Sequence, residues 1–582
     1  MKTFRPIAYL IALSFALGFS AHAAETQKRP KKRAAKPAVV QKETPQNPAE
    51  LLKYADQPGQ ELYQVLLAEI ALQRGDPEFA SQAYAQLAKR TRDPKVLERT
   101  VEVASYARNF DQALDATRVW REEDPSSKRA QQLAVSMMLL SKQLDDLPPL
   151  LIQMLGLEPE SLADNLLGLN RLLAPIADHP AVLLLLDEVC ASFLTYPEAH
   201  YTLAVAAHSA GNDERARAEI RQAQALRPDW EPAVLFEAQL LSTKAPAEAI
   251  RVLQTLVDKN AQAWDARLYL ARLLISEKRY TDAKGHFDLL LQTFPDRPEV
   301  IYPAALLALQ QQDNPRGESL LKHFVTLAIP DKNPAYYNLG QIAEEQQQTE
   351  QAITYYEQIG AGELYLPAQF RQASLLAAQG DLAKARAQLT ALKANSPDER
   401  AQIKMAEASL LRQANHPQDA LDLLEEELKT QPDQVNLLYE SALLAEKVGK
   451  LDVLETKLRR LIVLEPENAH AYNALGYSFA DHNLQLLEAY ELIEKALQLA
   501  PDDPAILDSM GWVHYRQGNF PEAINYLERA HALRADPEVA AHLGEALWKA
   551  GRQSDAQRVL LDAQKKSPDN EVIKDALRKF VQ

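Results

Sequence analysis

Small and apolar residues return along most of this chain at an interval of 33 to 35 residues, far longer than the period of a helix or a strand. In the last three intervals, two alanines of the second half lie seven residues apart, on one face of a helix. A stacked unit of two helices has this period. The recurring positions of the first helix are Ala204, Glu237, Ala271, Ala305, Gly340, Ala373, Ala408, Ala442, Gly476, Gly511 and Gly544.

The regularity of this pattern differs along the chain. Residues 196–569 are predicted to form about eleven helix pairs, and the amphipathic segment 570–582 is predicted to cap the last pair. Residues 49–144 keep the phase more weakly, which indicates degenerate repeats. Residues 145–195 lose the phase where prolines such as Pro159 occur, and we expect an irregular helical joint there. Alternating strand patterns are absent, so the expected fold class is all-α.

The first residues are typical of an export signal. Lys2 and Arg5 precede an apolar run at 7–19 and an Ala-His-Ala site, which predicts a signal peptide at 1–23 with cleavage after Ala23. A retained membrane anchor is the alternative, although the run is short for a membrane span. No cysteine stands at the cleavage site. We therefore expect a periplasmic protein without a lipid anchor.

Residues 24–48 are predicted to form a disordered linker, since prolines interrupt them and few apolar residues are present. A cluster of basic residues extends from Lys28 to Lys36. One interpretation is weak peripheral contact with anionic lipid headgroups, or with an acidic partner, at about 1 kcal/mol per charge near a membrane surface. The other is a solvated, self-repelling spacer.

Composition and motifs argue against several functions. The formal net charge of -16 opposes general nucleic-acid binding. Cys190 is the only cysteine, which excludes an intramolecular disulfide, and the 12 histidines are scattered without the spacing of metal ligands. Phosphate-binding, dinucleotide-binding and hydrolase motifs are missing. We expect a protein that is not an enzyme and that needs no cofactor or metal.

One segment carries a family resemblance. The residues Tyr472-Asn-Ala-Leu475-Gly476, followed by Ala489, Ile493, Ala496 and Pro501, resemble the tetratricopeptide repeat (TPR) in order and offset, with one extra residue in the turn at 481–484. The resemblance implies a right-handed superhelical solenoid of stacked helix hairpins, whose first helices line the concave side.

The same resemblance implies which positions face that groove. These positions, with large aromatic side chains as anchors and polar side chains beside them, are predicted to bind protein or peptide partners. The alternative is that Trp512 and Trp548 pack between neighbouring first helices. The predicted groove residues are Asn473, Tyr477, Asp508, Trp512, Tyr515, Arg516, Glu545 and Trp548.

Two segments, at 503–512 and 541–548, are more specific in sequence than the general repeat pattern. They look like a proteobacterial family of envelope TPR proteins that includes the lipoprotein partner of a carboxyl-terminal processing protease. This resemblance implies an adaptor that presents peptidoglycan hydrolases to such a protease. The missing lipid-attachment cysteine departs from that pattern. The alternative function is a structural assembly factor for envelope polysaccharide or outer-membrane machinery.

Overall fold

The computed structural model describes residues 59–157 and 159–580. In these ranges the chain forms 31 α-helices and two short 3-10 helices and contains no strand, which confirms the all-α prediction. The predicted signal peptide, its cleavage after Ala23 and the basic linker with Lys28–Lys36 lie outside the described residues. Compact packing divides the chain into two units, one ending at Leu194 and the other beginning at Thr195.

The described part of the first unit, from residue 59 onward, contains eight α-helices, and the first four form two antiparallel pairs. The 3-10 helices Pro159–Ser161 and Ala191–Phe193 interrupt the last part of the unit. Pro148 and Pro180 open helices there, in positions where proline costs no intrahelical hydrogen bond. The helices are α1 (Gln60–Gln73), α2 (Pro77–Thr91), α3 (Pro94–Tyr106), α4 (Phe110–Glu123), α5 (Lys128–Ser141), α6 (Leu147–Leu157), α7 (Leu162–Leu173) and α8 (His179–Cys190).

The second unit is a series of eleven helix pairs, α9 to α30, followed by a single helix, α31. The pairs before the last three are α9 (Pro197–Ser209) and α10 (Asp213–Leu226), α11 (Glu231–Ser242) and α12 (Pro246–Lys259), α13 (Trp264–Ser276) and α14 (Tyr280–Thr293), α15 (Pro298–Gln310) and α16 (Asn314–Thr326), α17 (Asn333–Glu345) and α18 (Thr349–Glu357), α19 (Tyr365–Ala378) and α20 (Leu382–Ala391), α21 (Pro397–Gln413) and α22 (Pro417–Thr430), and α23 (Val435–Lys447) and α24 (Leu451–Leu464). The remaining helices are α25 (Ala469–Asp481), α26 (Leu486–Leu499), α27 (Pro504–Arg516), α28 (Phe520–Leu533), α29 (Pro537–Lys549), α30 (Gln553–Lys566) and α31 (Glu571–Phe580).

Four of the described helices begin at an Asp-Pro pair. Asp503 and Asp536 accept hydrogen bonds from the backbone N–H groups of the first turns of α27 and α29. The proline that follows supplies a φ angle suited to the helix and has no N–H left to satisfy. Local sequence therefore marks where these helices start.

Small residues on the first helices are explained by close approach to the second helix of the same pair. A Cβ atom added to Gly476 would lie 2.6 Å from Ile493 Cγ1 and 2.9 Å from the backbone oxygen of Ala489. One added to Gly544 would lie 2.7 Å from the Leu560 side chain. These distances are shorter than ordinary contacts between heavy atoms, so a larger residue would push the two helices apart.

Glu237 is the exception to the small-residue rule, and its environment differs. Its side chain is half-buried and accepts a hydrogen bond of 2.8 Å from Gln224 Nε2 of the preceding helix pair. The polar contact satisfies a carboxylate at a position where other repeats place glycine or alanine.

The extra residue in the turn before α26 changes the backbone there. Asn483 and Gln485 both have left-handed conformations, with φ angles of 57° and 42°. The shorter turn between α27 and α28 contains a single such residue, Gly518, with a φ of 83°. Asn483 stands where the shorter turn has Gly518, and asparagine accepts this conformation more readily than most residues do, so the further left-handed position is that of Gln485.

A proline in the interior of α15 is compensated from the neighbouring repeat. Pro303 has no N–H to donate to the backbone oxygen of Glu299, four residues before it. Arg272 of α13 donates from Nη2 to this oxygen at 3.1 Å. A side chain of one repeat thus completes the backbone hydrogen bonding of the next.

Candidate functional site

The eight predicted groove residues lie on the first helices of the last three pairs. Asn473 and Tyr477 belong to α25, Glu545 and Trp548 belong to α29, and the other four belong to α27. Helix α27 contacts both α25 and α29. The repeat period alone was therefore sufficient to place these side chains on adjacent helices.

An aromatic stack forms the centre of this surface. The Trp512 ring stacks on the Tyr515 ring, with centroids 4.8 Å apart, and on the His542 imidazole, with centroids 4.1 Å apart. The Arg516 guanidinium carbon lies 5.8 Å from the centroid of the Trp512 ring. Trp512 is only 5% exposed, so the greater part of its area is covered by the protein's own side chains. Its role in partner binding stays a prediction.

Three carboxylates hold the aromatic side chains at the edge of the stack. Asp481 accepts a hydrogen bond of 3.2 Å from Trp512 Nε1, and Glu545 accepts one of 2.7 Å from the Tyr515 hydroxyl. Glu538 accepts one of 3.1 Å from the Tyr477 hydroxyl. Each bond joins first helices of different repeats. The contacts fix the aromatic rings and leave further carboxylate lone pairs for other donors.

The tyrosines in these contacts are poor acids. Burial raises the pKa of Tyr477 well above its ordinary value, and the negative charges of Glu538, Asp481 and Asp508 raise it further. Burial also raises the pKa of Tyr515, together with its hydrogen bond to Glu545. Both phenols therefore remain neutral hydrogen-bond donors at physiological pH.

A buried hydrogen-bonded pair joins α27 to α29 at the stack. His542 Nδ1 lies 3.0 and 3.1 Å from the two carboxylate oxygens of Asp508. The side chains of both residues are almost entirely enclosed. Burial opposes the charged imidazole, but the Asp508 hydrogen bond and the nearby charges of Asp508, Glu538 and Asp481 outweigh it and raise the pKa of His542.

Two predicted residues lie outside the hydrogen-bonded cluster. Trp548 is half-buried and packs toward Phe580 of α31, with ring centroids 6.1 Å apart. The side-chain oxygen of Asn473 is buried without a hydrogen-bond partner among the described residues. The cluster itself contains the remaining six predicted residues.

Sequence reasoning did not single out Asp481, His542 or Glu538. A signal for them existed, because contacts between neighbouring repeats recur at a nearly constant sequence separation. Asp508 and His542 are 34 residues apart, Asp481 and Trp512 are 31 apart, and Tyr515 and Glu545 are 30 apart. Pairing polar residues at these separations would have found Asp481 and His542, whereas Glu538 lies 61 residues from its partner Tyr477.

In residues 59–157 and 159–580, no group of three or more His, Cys, Asp or Glu side chains is arranged to hold a metal ion. Over the same ranges, none of the helices combines the length and the apolar character needed to cross a bilayer. Cys190 is buried.

Comparison with known proteins gives a consistent result. Models of the tetratricopeptide repeat match residues 240–309, 334–359, 367–399 and 514–580. The chain is 34% identical over 493 residues to the TPR repeat-containing protein PA4667 of Pseudomonas aeruginosa, which covers 85% of this chain and 83% of that protein. A crystal structure of a thermophilic TPR protein from Thermus thermophilus is similar with 21% identity and a TM-score of 0.29, over 31% of this chain and 98% of that chain.

Proposed function

The chain belongs to the tetratricopeptide-repeat family, and we propose that it is a protein-binding scaffold whose last three repeats hold partner segments along their first helices. Repeats of this kind generally mediate contacts between proteins, and their stacked helices offer an extended surface for them. None of the matching families is a catalytic one, which supports a binding role over an enzymatic one.

The observation that carries this proposal is the carboxylate edge around the aromatic stack. Asp481 and Glu538 are exposed, and Glu545 is half-buried. In the described part of the chain these three carboxylates accept only neutral O–H and N–H donors and take part in no ion pair. They border the half-buried rings of Tyr477 and Tyr515. A partner segment with basic and apolar side chains would match both the charge and the aromatic character of this surface.

The full form of the proposal places this scaffold in the periplasm, as an adaptor that presents peptidoglycan hydrolases to a carboxyl-terminal processing protease. The predicted signal peptide supports export. The segments at 503–512 and 541–548 support a processing protease and wall hydrolases as the partners. An adaptor that binds both proteins would raise the concentration of the substrate near the protease. Electrostatic attraction between an acidic scaffold and basic partners would also increase the rate of their association.

The test is affinity purification from an envelope extract of the producing organism, with the chain from Ala24 onward as bait. The variant Asp481→Asn/Glu538→Gln/Glu545→Gln removes three negative charges and keeps an oxygen acceptor for each aromatic donor. A matched control, Glu467→Gln/Glu491→Gln/Asp502→Asn, removes three exposed carboxylates elsewhere in the same repeats. We expect a protease or a wall hydrolase with the wild type and the control, and its loss with the first variant.

Other outcomes would change the proposal. Equal recovery of partners with both variants would contradict a binding surface at these three carboxylates. Recovery of polysaccharide-export or outer-membrane components alone would replace the adaptor with an assembly factor. Hydrolase levels that stay the same in a strain lacking this protein would contradict delivery to a protease, and a Trp512→Ala/Trp548→Ala variant with unchanged partners would show that the two tryptophans only pack.

A further inference from the structure

The pair of Asp508 and His542 has a chemistry that the scaffold proposal does not use. His542 is 9% exposed and Asp508 is 6% exposed, and they belong to different repeats. One imidazole nitrogen faces both carboxylate oxygens at hydrogen-bonding distance. A carboxylate enclosed in this way requires a positive partner or several donors, since an uncompensated buried charge is strongly unfavourable. A protonated imidazole supplies the positive charge, whereas a neutral one supplies only its N–H donor.

The groups around His542 come from all three first helices. Helix α25 contributes Tyr477, whose ring centroid lies 6.3 Å from that of the imidazole, and the carboxylate of Asp481. Helix α27 contributes Asp508 and the stacked Trp512, and α29 itself contributes Glu538. All the charged groups that act on His542 are therefore negative.

Arg516 is the nearest positive group in the cluster, and it contacts the Trp512 ring. Burial disfavours the imidazolium, whereas the carboxylates from all three helices favour it. The net result is that the pKa of His542 lies above the ordinary value of about 6.5. The proton is thus held more strongly in the folded repeats than in the unfolded chain.

We propose that His542 is a proton-dependent latch between the last two helix pairs, which fastens α29 to α27 when the imidazole is protonated and loosens when the proton is lost. Because the folded state binds this proton more strongly, the latch contributes its full stabilisation below the pKa of the unfolded chain. That stabilisation is lost as the pH rises through the pKa of the folded state. A rise in pH through the pKa of the folded state would therefore loosen α29 from α27.

The effect is expected to extend to a third helix. Trp512 stacks on the imidazole and is also tied to Asp481 of α25 through its indole N–H. A change in the position of His542 would therefore be transmitted to the hydrogen bond that joins α25 to α27. The latch links proton binding to the arrangement of the same helices that carry the carboxylate edge.

Trp512 supplies a direct optical readout. An imidazolium stacked on an indole quenches its fluorescence more strongly than a neutral imidazole does. The chain contains five tryptophans, so the emission of Trp512 is obtained as the difference between the wild type and Trp512→Phe. Between about pH 5 and about pH 9, we expect this emission to rise with a midpoint above the usual histidine pKa of about 6.5. The transition should be absent in His542→Gln.

Hydrogen exchange of the full chain measures the latch itself. After correction for intrinsic exchange rates, the opening equilibrium of α27 and α29 should increase by about tenfold for each unit by which the folded pKa exceeds the unfolded one. The variant Asp508→Asn keeps an acceptor but removes the charge, so its fluorescence midpoint should fall. His470→Gln, an exposed histidine of α25, should behave as the wild type does.

Two results would overturn the inference. One is a Trp512 midpoint at or below the ordinary histidine value, or one that Asp508→Asn does not lower. The other is unchanged exchange of α27 and α29 across the pH range in which His542 titrates. If His542→Gln folds poorly, the Asp508→Asn comparison still decides between these outcomes, because it relies on the wild-type histidine.

Discussion

Removal of Arg272 should cost more stability in the wild type than in a chain that lacks Pro303. Arg272 Nη2 donates to the backbone oxygen of Glu299, which has no intrahelical donor because residue 303 is a proline. The variant Pro303→Ala supplies an N–H at this position. In that background, the oxygen keeps a partner when Arg272 is truncated.

The size of the effect follows from the state of this oxygen. A hydrogen bond from a charged donor contributes about 1.5–3 kcal/mol, and an acceptor left unpaired costs about 1–3 kcal/mol. Arg272 is half-buried, so water can reach part of the site and the lower end of both ranges applies. We expect Arg272→Ala to cost about 2 kcal/mol alone and about 1 kcal/mol beside Pro303→Ala. Lost packing of the arginine stem is common to both backgrounds and cancels in the double-mutant cycle.

The assay is hydrogen exchange with mass spectrometry on the full chain, read at peptides from α15. A global unfolding curve is unsuitable, since long repeat arrays do not unfold in one cooperative step. Arg251→Ala, which removes an exposed arginine paired with Glu248 in α12, is the control and should be additive with Pro303→Ala. If Arg272→Ala costs the same in both backgrounds within about 0.5 kcal/mol, the side chain does not replace the missing backbone donor.

Two further predictions concern a close contact between helices and a buried tyrosine. Gly476→Ala should destabilise the α25–α26 pair by about 1–2 kcal/mol in local hydrogen exchange, because an overpacking cost of about 2–3 kcal/mol exceeds the usual gain of about 1 kcal/mol from replacing a helical glycine with alanine. The control is Gly285→Ala in α14, where an added Cβ would meet nothing within 4 Å, and it should stabilise its helix pair. If both variants change stability in the same direction, this reasoning is wrong. Burial and the hydrogen bond to Glu69 raise the pKa of Tyr84 to about 12, so stability that Tyr84 contributes below its ordinary pKa should be lost as the pH rises through about 12. The absorbance difference between the wild type and Tyr84→Phe would show this late ionisation, and a midpoint near 10 would refute it.

The repeat period predicted much of the second unit, and the reason is physical. Each helix pair packs mainly on its neighbours, so one unit recognised at Gly476 or Gly511 implies the same packing at the equivalent positions. The placement of Tyr477, Trp512 and Glu545 on adjacent helices followed from this period. Their choice of partners did not, because a side chain on such a helix can turn toward solvent or toward the next repeat.

Other features depend on single departures from the pattern. The role of Arg272 becomes visible only once the oxygen opposite Pro303 is known to lack a donor. The pairing of His542 with Asp508 depends on both side chains pointing between helices, which composition and spacing leave open. The export signal, the domain limits and the binding role of the groove residues stay predictions.

The contacts that cross between the last repeats also give the array an end that cannot be shortened freely. A chain cut before α29 would lose His542, Glu538 and Glu545 together, and with them the side chains that cover or bind Trp512, Tyr477 and Tyr515. Aromatic rings that are now enclosed would lie on the new terminal surface and would favour self-association. Unfolding of α29 from this end would therefore expose apolar surface, and α31, which packs on α29, helps to keep that surface covered.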